Sequence, residues 1–90
     1  MFLCALRSMD LTDAVYALDE LAAGRPPDEA RTARGLQALD ALLSERNDAD
    51  LHEAAALLEV FVATRSLGTG EESLARTRQL ADAVRRAMGP

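Results

Sequence analysis

From position 10 onward, apolar residues return every three or four positions, with breaks at Gly24 to Pro27, Asn47-Asp48 and Gly68-Thr69-Gly70. This spacing lines up side chains on one face of an α-helix. The pattern predicts helices over about 10–23, 27–46, 50–67 and 71–88. In the first, Leu11, Ala14, Val15, Leu18, Leu21 and Ala22 form a narrow stripe, Asp10 and Asp13 suit a helix N-terminus, and Gly24 suits a C-terminal cap. Pro26 and Pro27 end that element and begin the next, because the first helical turn does not need their missing N–H.

The second helix turns Ala33, Leu36, Leu39, Leu42 and Leu43 inward. Gly35 in its interior costs about 1 kcal/mol relative to alanine, which implies either a neighbouring backbone packed closely against it or a tolerated defect. Asp50 with Glu53, and Thr69 with Glu72, have the spacing of capping boxes opening the third and fourth helices. In the fourth, Leu74, Thr77, Ala81, Val84 and Met88 define the inner face, with Arg76, Arg78, Arg85 and Arg86 outside. Short connections make successive helices antiparallel neighbours, so the expected fold is an all-α, up-down-up-down four-helix bundle with crossings of roughly 20°. Interlocking helical hairpins are the alternative topology. Paired helices also invite comparison with tetratricopeptide repeats, but the glycine, tyrosine and proline landmarks of that repeat are absent.

The third segment departs from this pattern. Its run from Ala54 to Ala63 contains a single polar residue, Glu59, whereas a surface helix needs a polar face. Leu51, Ala54, Ala55, Leu58, Phe61 and Val62 make the core stripe; Ala56, Val60, Ala63 and Leu67 make a second one on the opposite side. Such a stripe needs a cover: the other helices, the N-terminal segment folded over it, or another subunit. The N-terminal segment, residues 1–9, is itself apolar, with Phe2, Leu3, Leu6 and Met9, and could add a short helical piece. A start at Met9 would make the first eight residues an extension. If they are native, Phe2, Leu6 and Met9 fall at helical spacing and are too apolar to be left in water.

Composition narrows the function classes. Ninety residues form one domain whose small core makes association a common remedy. Four valines, no isoleucine and three aromatic residues leave little from which to build a sheet. All ten basic residues are arginine and the only asparagine is Asn47, a bias that points to a GC-rich bacterial genome. A net charge of −5 opposes binding to phosphate backbones and anionic membranes. The apolar opening lacks a positive leader and is too short for a signal core or a membrane span. Cys4, the single cysteine, fits a reducing cytoplasm.

Candidate chemistry is sparse. His52 stands alone beside Glu53, and the chain lacks both zinc-ligand spacing and the Glu-x-x-His pairs of carboxylate bundles. Gly68-Thr69-Gly70 lacks the fuller glycine pattern of a nucleotide loop. In the fourth helix, Glu72 lies four before Arg76, and Asp82 lies four from both Arg78 and Arg86, so local ion pairs account for much of its charge pattern; docking against the acidic first helix is a further use for it. No catalytic residue, cofactor or metal is expected. The sequence instead suggests a non-enzymatic interaction module of a bacterial cytoplasm, forming a homodimer or docking on a larger protein. Its candidate surface is Ala56, Val60, Ala63 and Leu67, with Phe2 and Leu6. A helix-turn-helix-like nucleic-acid regulator, using the turn at Leu67 to Thr69, is the alternative from another class; acidity and the want of a basic arm weigh against it.

Overall fold

The computed structural model describes residues 2–67 and 70–88, with side chains from Leu11 onward. Four helices follow one another: α1 (Phe2–Ala22), α2 (Glu29–Leu43), α3 (Ala49–Thr64) and α4 (Glu71–Ala87). Each packs on its neighbours in sequence, α1 also packs on α4, and α1 and α3 touch across the centre. The result is a four-helix bundle. Side-chain pairings fix its directions. Asp13 of α1 meets Arg31 and Arg34 of α2, and Glu29 at the start of α2 meets Arg65 just past the end of α3. Leu21 and Phe61, near the ends of α1 and α3, share a groove with Leu74 near the start of α4. Every adjacent pair is therefore antiparallel, in up-down-up-down order.

Several element ends differ from the sequence expectation, each for a local reason. The N-terminal segment is no separate piece: the backbone from Phe2 runs unbroken into α1, because neither glycine nor proline occurs before Gly24. Asp10 and Asp13 thus lie inside the helix and not at its start. Gly24 ends α1 in the left-handed region (φ 77°), with the Arg25 N–H donating to the Glu20 carbonyl at 2.9 Å and the Gly24 N–H to Leu21 at 3.0 Å. Pro27 is buried but lies before α2, whose cap is Asp28; its carboxylate accepts the Arg31 N–H at 3.0 Å. Helix α2 stops at Leu43, and the Ser44 hydroxyl donates to the Ala41 carbonyl.

For α3 the capping residue is Asp48 and not Asp50: the Asp48 carboxylate accepts from the Asp50 and Leu51 N–H groups at 2.9 and 3.2 Å. Glu53 is thereby freed for another partner. The helix ends at Thr64, three residues early, because Arg65 adopts the left-handed conformation (φ 58°) and its N–H closes on the Phe61 carbonyl. Gly70 stands at the N-terminus of α4 without a side-chain cap, and the expected Thr69 cap lies outside the described residues.

The core is built from Leu11, Ala14, Leu18 and Leu21 of α1, Leu39 of α2, Leu51, Ala54, Ala55, Leu58 and Phe61 of α3, and Ala81 and Val84 of α4. Among the described residues, five buried positions fall outside the stripes expected from sequence: Ala17, Pro27, Thr32, Gly35 and Leu80. Thr32 is tolerated because its hydroxyl donates to the Asp28 carbonyl at 2.7 Å, the usual solution for a hydroxyl inside a helix. Val15, Leu36, Leu42, Leu43, Val62 and Leu74 are half-buried at the margins, and Met88 is exposed at the end of α4. Among the described residues, no buried side-chain polar atom lacks a hydrogen-bond partner.

Gly35 is explained by what faces it. A Cβ at this position would stand 2.6 Å from the Ala14 nitrogen and 2.7 Å from its Cα, both backbone atoms of α1. The two helices touch backbone to backbone, which only a glycine permits. Close packing therefore accounts for this glycine.

Candidate functional site

Helix α3 sits between α2 and α4 and turns its core stripe toward α1. Its opposite face carries Ala56, Val60 and Ala63, all exposed, with Val60 at 53% of full exposure. The flanking helices therefore do not cover this stripe. Phe2 and Leu6, the other residues expected at this surface, continue the α1 helix, and their side chains lie outside the described residues. Leu67 departs from the expected stripe. Once Arg65 has turned the chain, Leu67 leaves the α3 surface and packs, half-buried, against the core.

Val60 and Leu67 instead both line a groove of about 250 Å³ between α3, α4 and their connection. Leu21, Leu57, Phe61 and Leu74 give it an apolar lining, with Ser66, Ser73 and Thr77 as its polar edges. Thr77 is already satisfied, since its hydroxyl donates to the Ser73 carbonyl at 2.9 Å. The groove can therefore receive apolar groups and offers no converging acid, base or nucleophile to transform them. Sequence spacing did not reveal it, because Leu21, Phe61, Leu67 and Leu74 come from three helices and a connection whose mutual placement no local period encodes.

Two arginines of α4, Arg76 and Arg85, tie it to neighbouring helices. Arg76 reaches across to Glu53, with Nη2 to Oε1 at 2.7 Å and Nε to Oε2 at 3.0 Å, and also to Asp50 at 3.1 Å. The hydrogen bonds from Arg76 hold the Glu53 carboxyl below the ordinary glutamate range, and the same bonds push the guanidinium of Arg76 further up. Arg85 pairs with Asp82 on its own helix and with Asp19 of α1. The sequence expectation of local pairs in α4 is thus corrected: the carboxylate partners of Arg76 are Glu53 and Asp50 of α3 and not Glu72, its local hydrogen bond goes to Gln79, and Asp82 pairs with Arg85 and not with Arg78 or Arg86. Contact with the acidic first helix is made through Arg85.

His52 is exposed on the first turns of α3, and its neighbour Glu53 is taken up by Arg76. Among the described residues no group of three or more His, Cys, Asp or Glu side chains is placed to hold a metal ion. No helix among them is long and apolar enough to cross a membrane. Fold and surface together define a small all-α bundle with an uncovered apolar face on α3, continuous with a groove beside α4. The chain matches no family model, and no curated protein or solved structure is significantly similar to it.

Proposed function

We propose that this protein is a non-enzymatic helical interaction module of a bacterial cytoplasm. It acts by self-association or by docking on a larger protein through the outer face of α3. The observation that carries this reading is Val60. A large apolar side chain stands half in water on a helix whose remaining outer positions include Ala56 and Ala63, and apolar surface of this kind gains free energy when a partner removes it from water. Flanking alanines allow a partner's backbone to come close, and the adjoining groove offers an anchor point for an apolar side chain. A nucleic-acid reading has no comparable support, because Arg76 and Arg85 are engaged with carboxylates and the net charge is −5.

The test is the solution mass by light scattering over a range of concentrations, together with capture of partners from the native host, for the wild type and Val60→Glu. Association by the wild type that Val60→Glu abolishes, with helicity by circular dichroism retained, is the expected result. Association that survives Val60→Glu unchanged would overturn the assignment to this face. A monomer that captures no partner would overturn the interaction reading itself.

A further inference from the structure

We draw no further inference here: the strongest candidate, the apolar groove between α3, α4 and their connection with the exposed Val60 in its lining, belongs to the surface already described, and nothing in the structure shows what covers it.

Discussion

The seam between α1 and α2 and the seam between α3 and α4 are built on different principles. At the first, Gly35 lets the backbones touch at Ala14, Tyr16 accepts the Asp28 N–H at 2.9 Å, and Arg31 lies 3.7 Å above the Tyr16 ring. Asp13 accepts from Arg31 and Arg34 at 3.0 and 3.2 Å. At the second seam, the ion pairs of Arg76 join α3 to α4 near Asp50 and Glu53, while the region around Phe61 and Leu74 opens into a groove. One seam uses its polar groups to close the contact; the other leaves apolar surface unmatched. Closure makes the first a structural clasp, and incomplete closure makes the second the place where association would release free energy.

The sharpest way to break this comparison is to force the closed seam apart. Gly35→Ala would normally gain about 1 kcal/mol in helix propensity. Here its Cβ would meet fixed backbone at 2.6 Å, so α1 and α2 must separate. Overpacking typically costs about 1–3 kcal/mol; with backbone as the obstacle the cost falls at the upper end and exceeds the propensity gain, and the net loss of about 1–2 kcal/mol should lower the thermal midpoint by about 4–16 °C. A midpoint that stays level or rises would show that the two helices are not in backbone contact.

Asp13 comes next. Only 21% of its side chain is exposed, but its partners Arg31 and Arg34 are more open, at 39% and 61%, and solvent weakens each pair. Asp13→Ala should therefore cost about 1–2 kcal/mol, read by chemical denaturation. Burial raises the Asp13 pKa, yet the hydrogen bonds and charges of the two arginines outweigh it and hold the carboxyl below its ordinary 3.8. A carboxyl with a lowered folded-state pKa contributes stability fully above its unfolded value and loses it as pH falls through the folded one. The stability difference between wild type and Asp13→Asn should accordingly be constant at neutral pH and shrink below about pH 4. A difference that persists undiminished at lower pH would remove the ionic explanation.

The two seams were also unequally legible in the sequence. Helix existence, order and most of the core could be read because the stripe from Leu11 to Leu21 and that from Leu51 to Phe61 repeat at helical spacing. Gly35 was conspicuous because a glycine inside a helix needs a reason. The Asp13–Arg31 pair was not, because 18 positions separate the two residues and only the packed bundle brings them together. End points failed where two residues competed for one cap: Asp48 outperformed Asp50, and nothing local predicted that Arg65 would accept a left-handed backbone. The outward stripe of α3 was visible as far as Ala63. Its supposed end at Leu67 was misplaced for the same reason, since the helix stops before that residue.

Arg65 therefore offers a smaller perturbation, placed at the open seam. A left-handed backbone costs a non-glycine residue roughly 1–2 kcal/mol, which Arg65→Gly would relieve. Against this stand the greater unfolded-state freedom of glycine, about 0.5–1 kcal/mol, and loss of the exposed 2.7 Å pair with Glu29, worth about 0–1 kcal/mol. The sum should lie within about 1 kcal/mol of zero. A large loss would mean that the Arg65–Glu29 contact carries more of the α2–α3 junction than its exposure allows.

Val60→Glu should have the least effect on folding of all, and that is its value. Glutamate is a somewhat better helix former than valine. The residues four positions away are Ala56 and Thr64, so no like charge opposes the new carboxylate across one turn. With Val60 at 53% exposure, only part of its apolar surface is withdrawn from water in the bundle, and stability should change by no more than about 0.5 kcal/mol, a shift of about 2–4 °C in the thermal midpoint. The same substitution places a charge in the middle of the face assigned to association. A small thermal shift in the monomer with loss of association would establish that folding and binding use opposite sides of α3. A thermal shift as large as that of Gly35→Ala would show that Val60 belongs to the packing of the bundle, and the contrast between a closed and an open seam would no longer hold.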